Sequence, residues 1–314
     1  MSKSMRIVII GGNGFIGRSL TAAAKIKGHQ ITILSRRVNP KTSDQGDLVI
    51  KHWDGRSAES LAPLIEQSDV LINLAGENIG KQKWTKSRKE ALLKSRLEPA
   101  SAVVAAFKLA KNPPKTLIQA SAIGIYGIGE ETKTERSEIG KDYLAGFAHC
   151  WEESTKSIER MGVRRVVIRT GIVLDRNEGV LPKLMLPFRM MIGGPLGAGS
   201  QILSWIHIQD VVGGILFLIE SEQCQGTYNL VSPDPVSNEL IGKSLAKMMH
   251  RPYWIPAPSF VLKAVLGEMS TLVLEGQKVI PQRLIQEGYT FKYVKIEDAL
   301  FNILRENQGK GVGV

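Results

Sequence analysis

Residues Arg6 to Gly17 read RIVIIGGNGFIG, and this stretch decides the fold. Arg6 to Ile10 is a short, β-branched apolar run of the kind that forms a buried strand in a parallel sheet. It breaks into Gly11-Gly12-Asn13-Gly14-Phe15-Ile16-Gly17, with Gly11, Gly14 and Gly17 at a three-residue period. Ser19 to Ile26 then reads as a helix. Strand, glycine turn, helix is the context that separates a dinucleotide fingerprint from a chance cluster of glycines. Gly11 permits the tight turn, Gly14 lets the backbone approach a diphosphate, and Gly17 lets the helix pack close to the strand. The first free N–H groups of the helix then face the phosphates, with the positive end of the helix dipole behind them. The competing reading is a structural glycine turn that holds no ligand.

The second strand, Gln30 to Leu34, selects the dinucleotide. A chain that binds NAD usually carries Asp or Glu at its end to hold the ribose 2′-hydroxyl. Here Ser35-Arg36-Arg37 follows. A carboxylate repels a 2′-phosphate, whereas a guanidinium grips it through paired, charge-assisted hydrogen bonds. NADP(H) is therefore the expected cofactor; the alternative is that Arg36 and Arg37 are exposed loop charges.

Further along, Val49 to Trp53 reads as a strand, Ala58 to Gln67 as a helix and Asp69 to Leu74 as a strand. That last strand runs into Ala75 and Gly76, small residues that let backbone line a ligand crevice at the carboxyl end of a sheet. Trp84 to Lys108 reads as a long helix, and Thr116 to Ala120 as the fifth strand. Ser121 follows it, and Tyr126 comes five residues later, so a hydroxyl at a strand end and a nearby phenol make a candidate catalytic wall. Residues 128 to 140 read as a charged loop, Asp142 to Arg160 as a helix and Arg164 to Thr170 as the sixth strand. The alternation predicts an α/β fold with a Rossmann-type, doubly wound parallel sheet.

Composition bounds the rest. The chain has 314 residues, enough for one large or two closely packed domains. Its two cysteines, Cys150 and Cys224, exclude a disulfide framework or a cysteine-rich metal site, and no metal is expected. The N-terminal apolar run is too short for a signal peptide, and Val211 to Ile219 is too short to span a bilayer. A cytoplasmic protein with no membrane partner is the expectation. The net charge of +11 suits an anionic cofactor and substrate. The densest basic segment, Lys81 to Arg96, carries no nucleic-acid motif and reads as a solvated helix face, so no nucleic acid is expected.

After Thr170 the pattern changes. Leu181 to Met191 is apolar and Met-rich, and Gly194-Pro195-Leu196-Gly197 with Lys183 are candidates for a substrate pocket, Arg189 offering a cation to an acidic substrate. In Ser204-Trp205-Ile206-His207-Ile208-Gln209-Asp210, Asp210 is expected to cap the helix that follows and His207 to pack beside it. Residues 1–175 are expected to form the NADP-binding domain, with parts of 200–232 completing its sheet. Residues 176–314 form mainly a smaller C-terminal substrate lobe, with a small domain at about 250–305.

Together these motifs resemble the extended short-chain dehydrogenase/reductase superfamily. They are closest to its atypical epimerase-family branch, described as nucleoside-diphosphate-sugar epimerases or SulA-like proteins. The resemblance runs from GGNGFIG through LSRR, NLAGENI, WTKSRKEALLKSR, ASAIGIYG, WEES and RTGIVL to YNLVSPDPVSN and EGQKVIPQRL. It implies NADP contacts at Asn13, Phe15 and Ile16, at Ser35 and Arg36, at Leu74 and Ala75, and at Arg96 and Val173; Gly11, Gly12, Gly14, Gly17, Arg37, Gly76 and Ala120 are the further cofactor-binding candidates. Dehydrogenases of the superfamily place a Tyr four residues before a Lys on the helix after the fifth strand. Here Tyr143 is followed by Phe147, and alignment on Glu152 puts Leu144 and Ala148 in the two slots. Ser121, Tyr126 and Tyr143 remain as catalytic candidates. The expected function is an NADP(H)-dependent oxidoreductase or epimerase-like enzyme acting on a small molecule, with a homodimer as its assembly. The alternative is a non-catalytic NADP(H) sensor that has lost the Tyr/Lys pair.

Overall fold

A computed structural model describes residues 4–36 and 46–305. In chain order they form β1 (Arg6–Ile10), α1 (Phe15–Ile26), β2 (Gln30–Ser35), β3 (Leu48–His52), α2 (Ala58–Ile65), β4 (Val70–Asn73), α3 (Lys86–Leu109), β5 (Thr116–Ala122), β6 (Gly129–Lys133), α4 (Tyr143–Glu153) and β7 (Arg164–Thr170). Then follow β8 (Ile172–Leu174), α5 (Leu181–Arg189), β9 (Ile202–Leu203), β10 (Trp205–His207), α6 (Ile208–Glu220), β11 (Gly226–Leu230), β12 (Val236–Ser237), α7 (Asn238–Met249), α8 (Ser259–Leu266), α9 (Thr271–Leu274), β13 (Gln277–Val279), α10 (Gln282–Gln286) and α11 (Ile296–Arg305).

Seven strands make a parallel sheet in the order β11-β7-β5-β4-β1-β2-β3. The strand order reverses between β1 and β4, and β2 and β4 flank β1's apolar run: Ile9 lies opposite Ile33 on one side and Ile72 on the other. Ligands of open α/β sheets bind beyond the carboxyl ends of the strands at such a switch point. The Rossmann-type α/β expectation is therefore met. One face of this sheet is covered by α2 and α3, where Val8, Ile10, Leu71 and Leu117 pack against Leu61, Ile65, Val103 and Phe107. Side-chain caps hold the helix starts: Ser57 for α2, Thr85 for α3 and Asp142 for α4 accept N–H groups of the first turn.

The chain divides into two compact units that interleave in sequence. The first holds residues 1–125, 139–169 and 212–228; the second holds 126–138, 170–211 and 229–314. The second unit has its own core, in which Leu181, Met185 and Phe188 of α5 pack with Ile241 and Leu245 of α7 and with Leu300 and Ile303 of α11.

Two local expectations fail. The charged stretch 128–140 contains a strand, β6, because Gly129 to Lys133 pairs in parallel with β13. Asp210 does not cap α6. It lies inside the first turn, and its carboxylate accepts the N–H groups of Lys292 (2.8 Å) and Tyr293 (2.9 Å) and the hydroxyl of Tyr289 (3.2 Å). His207 packs as expected, its ring 4.0 Å from that of Tyr293 and its Nδ1 accepting the Gln209 N–H.

Candidate functional site

The glycine turn after β1 has a shape that side chains would destroy. Gly11 takes φ +81°, and a Cβ there would lie 2.9 Å from the Leu74 carbonyl oxygen. A Cβ on Gly17 would lie 2.4 Å from the Gly11 carbonyl oxygen, so the first turn of α1 presses directly onto the turn. Gly14 is the N-cap of α1, no side chain caps the helix, and no acid occupies its first turn. The helix therefore offers its leading amides and the positive end of its dipole to an anion.

The turn opens into a cavity of about 500 Å³ at the carboxyl ends of β1, β2 and β4. Gly11, Asn13, Gly14, Ser35, Arg36, Leu74, Ala75 and Gly76, eight of the residues singled out in the sequence, line it together. The Asn13 amide donates to the Ser35 hydroxyl (3.0 Å), which ties the glycine turn to the end of β2. Arg36 is exposed beside them. Arg37 lies outside the described residues.

The cavity also has a wall that the sequence did not reveal, formed by Trp53, Asp54, Gly55 and Arg56 after β3. The placement of β3 next to β2, with its carboxyl end at the same edge, was the signal that pointed there. Asp54 accepts the N–H groups of Ser57 and Arg56 (both 2.9 Å), and these hold its carboxyl below the usual range. Arg56 is paired with Glu98 (2.8 Å). Asp54 and Arg56 thus have partners of their own, which leaves Arg36, among the described residues, as the cation at the end of β2.

Arg96 is no solvated helix charge. It is 8% exposed, donates to the carbonyls of Leu92 and Glu77 (both 3.0 Å), and lies between the rings of Phe147 (4.9 Å) and Trp151 (4.7 Å). A Cβ on Gly76 would lie 2.9 Å from its guanidinium carbon, so Gly76 lets the cation reach the back of the cavity wall. Burial lowers its pKa to about 10, and it stays charged at neutral pH. Arg88, earlier in the same basic segment, is ion-paired with Glu77. The basic segment reads as solvated in sequence because its partners, Glu77 and the aromatic residues of α4, come from other elements.

The catalytic candidates fall into three surroundings. Ser121, at the end of β5, is 4% exposed and donates its proton to Glu152 Oε1 (2.6 Å). Glu152 is itself held by Arg169 through two hydrogen bonds (2.8 and 2.9 Å). Ala148, in the slot expected for the lysine, is buried, and Leu144 stands in the tyrosine slot next to Gly124. Tyr143 opens α4 and is 39% exposed, its ring tilted against those of Trp84 and Phe147, with the Lys89 ammonium 4.5 Å from the ring centre. Tyr126 belongs to the second unit, where its hydroxyl donates to Asn229 Oδ1 (2.7 Å). Asn229 in turn donates from its side-chain amide to the Ile280 carbonyl and from its backbone N–H to the Glu135 carboxylate (both 3.0 Å). Val173 lies on β8 in the same unit.

Known proteins share this architecture. The model of the NAD dependent epimerase/dehydratase family matches residues 7–230, and that of a domain of unknown function, DUF1731, matches residues 257–303. The epimerase family protein YfhF of Bacillus subtilis is 39% identical over 308 residues, which is 97% of this chain and 99% of that protein. An epimerase family protein of Staphylococcus aureus is 37% identical over 303 residues, covering 95% of this chain and 99% of its own length. Among solved structures, the human epimerase family protein SDR39U1 (isoform 2) with NADPH has a TM-score of 0.85 at 31% identity, covering 96% of this chain and all of that one. A nucleoside-diphosphate sugar epimerase of Corynebacterium glutamicum has a TM-score of 0.78 at 31% identity, over 96% of this chain and 58% of that one. With a glycine turn at the sheet's switch point and relatives of this similarity along nearly its whole length, the chain belongs to the NAD dependent epimerase/dehydratase family.

Proposed function

We propose that the chain binds NADP(H) in preference to NAD(H) and uses it in an oxidoreductase or epimerase-like reaction on a small molecule. The observation that carries this reading is the end of β2, where Ser35 and Arg36 line the same cavity as the glycine turn. A guanidinium there complements a 2′-phosphate, and Asp54, the nearby acid, is turned to backbone N–H groups. Gly11 to Gly17 would seat the diphosphate, Leu74, Ala75 and Gly76 would line the crevice, and Arg96 and Val173 complete the contacts that the family pattern implies, with Ala120 as a further candidate. The human relative solved with NADPH supports the same cofactor.

When bound, the nicotinamide supplies or takes up a hydride. The matching proton needs a carrier, and the slots of the usual Tyr/Lys pair hold Leu144 and Ala148. The Ser121 hydroxyl is committed as a donor to Glu152, and the Tyr126 hydroxyl as a donor to Asn229 Oδ1. Tyr143, the remaining candidate, opens α4 in the first unit with the Lys89 ammonium over its ring face, and we assign it the proton, directly or through water. The same missing pair favours a second reading, an NADP(H)-binding sensor without turnover.

Calorimetric titration with NADPH and NADH tests the cofactor claim. Arg36→Ala should weaken NADPH by tenfold or more and leave NADH nearly unchanged; an equal loss for both removes the 2′-phosphate role. Turnover with a panel of carbonyl compounds and sugar nucleotides then separates enzyme from sensor, and Tyr143→Phe should abolish any turnover found while NADPH still binds.

A further inference from the structure

The second unit carries a cavity that the cofactor reading leaves unused. It measures about 100 Å³ and is walled by Leu184, Phe188, Ile192, Ile241, Leu245 and Ile255, with Lys183 and Asn238 as the polar side chains in its lining. An apolar cavity of about 150 Å³ takes a benzene ring, so this one has room for the end of an aliphatic chain. Beside it lies an apolar surface in which Met190, Trp254 and Phe260 are 60%, 65% and 74% exposed. Trp254 donates from Nε1 to the Met191 carbonyl (2.8 Å), and the N–H groups of Trp254 and Ile255 both point to the Gly193 carbonyl (2.9 and 3.2 Å). These bonds fix the exposed indole next to the cavity wall. Open apolar faces of this kind mark binding surfaces.

Charge identifies what binds. From Gly179 to Gln209, between Glu178 and Asp210, and again from Leu240 to Gly267, between Glu239 and Glu268, the sequence has no Asp or Glu, while it carries Lys183, Arg189, Lys243, Lys247, Arg251 and Lys263. Glu239, next to Asn238, is paired with Lys243 (2.7 Å). We infer that this cavity binds an anionic amphiphile, its chain end between Leu184, Ile241 and Leu245 and its phosphate or carboxylate head at Lys183. A second copy of the chain on this face would set cation against cation. The inference is independent of the cofactor assignment.

Trp254 reports the event, because Trp53, Trp84, Trp151 and Trp205 are all buried. The full chain is titrated with monomeric octyl phosphate, and in parallel with octanol, inorganic phosphate and phosphatidylglycerol vesicles. Octyl phosphate should give a saturable blue shift of the emission, octanol should bind at least tenfold more weakly, and inorganic phosphate should give no shift. Hexyl phosphate should bind about fourfold more weakly for each methylene removed. Lys183→Glu, an exposed substitution, should weaken octyl phosphate tenfold and leave octanol unchanged. Ala257→Phe, which fills the cavity from its lining, should abolish the shift at an unchanged melting temperature. Equal affinity for octanol and octyl phosphate, or indifference to Lys183→Glu, overturns the proposal. A shift on vesicles alone makes the face a membrane surface and overturns it too, as does a dimer in sedimentation velocity that already hides the indole.

Discussion

Glu152 shows how much one residue can be asked to do. Its carboxylate accepts hydrogen bonds from the Ser121 hydroxyl and twice from Arg169, and Arg165 donates to its backbone carbonyl. A buried ion pair broken by loss of one partner costs about 3–5 kcal/mol, because the other charge is left uncompensated. Arg169→Leu should therefore lower the unfolding free energy measured in urea by that amount, and Glu152→Gln should behave alike. The double variant should cost clearly less than the two losses added, since the pair fails as a unit. His207 gives a second, pH-dependent test. Burial pushes it down to about 4, while the unfolded chain takes up that proton near 6.5. Between these values the unfolded state binds more protons, so stability falls by up to about 1.4 kcal/mol per pH unit as pH drops through the window. Asp210, pushed up by burial, has the opposite sign and returns part of the loss toward pH 4. Melting temperatures at pH 7 and pH 5 should therefore differ less in His207→Asn, which keeps an acceptor for the Gln209 N–H, than in the parent; equal differences would dismiss His207 as the cause. At this scale the sequence was legible where the meaning was local. Gly11, Gly14 and Gly17 act on neighbours a few residues away, and their spacing tells. Arg96 depends on Phe147 and Trp151, some fifty residues on, and nothing near it in the chain announces that it is buried.

The strands and helices were legible for a related reason. β1, β4 and β7 each hold an unbroken apolar run, Ile7 to Ile10, Val70 to Ile72 and Val166 to Ile168, because a central parallel strand is covered on both faces, and such runs stand out. β6 did not stand out. Its sequence, GEETK, is polar, and it is a strand only because residues 277–279 lie alongside it. Helix ends have a similar dependence on distant partners. The Arg164 guanidinium collects the carbonyls of Leu218 (2.9 Å), Ile219 (3.0 Å), Ser221 (3.1 Å) and Cys224 (2.8 Å) at the end of α6, where the helix leaves its last acceptors unpaired. Charge-assisted bonds of this kind are worth about 1.5–3 kcal/mol. Arg164→Met should destabilise the protein by about that much and speed amide hydrogen exchange in the last turn of α6. Exchange that accelerates evenly over the whole chain would show that the arginine does not act as a local cap.

For the molecule as a whole, the interleaving of the two units matters more than either core. The chain passes from one unit to the other after residues 125, 138, 169, 211 and 228. A fragment ending at residue 175 carries the glycine turn and six strands of the sheet but lacks 212–228, which belong to the same unit. Such a fragment should show no cooperative melting transition and no NADPH affinity, whereas the full chain should gain about 2.7 kcal/mol of stability at a hundredfold excess of ligand over its Kd. A fragment that melts sharply would mean that the first unit stands without its last segment. The order of the elements and the expectation that parts of 200–232 return to the sheet were legible in the sequence; that 126–138 belongs with the second unit was not, because contiguity in the chain gives no hint of which short stretch changes unit. The edge position of β11 in the sheet has a consequence for biosynthesis. While the ribosome makes the sixty residues between Thr170 and Leu230, at about 5–20 residues per second, the outer flank of β7 has no neighbour to bond with. For several seconds the nascent protein presents a sticky, unzipped border, and that interval is when a chaperone would be most needed.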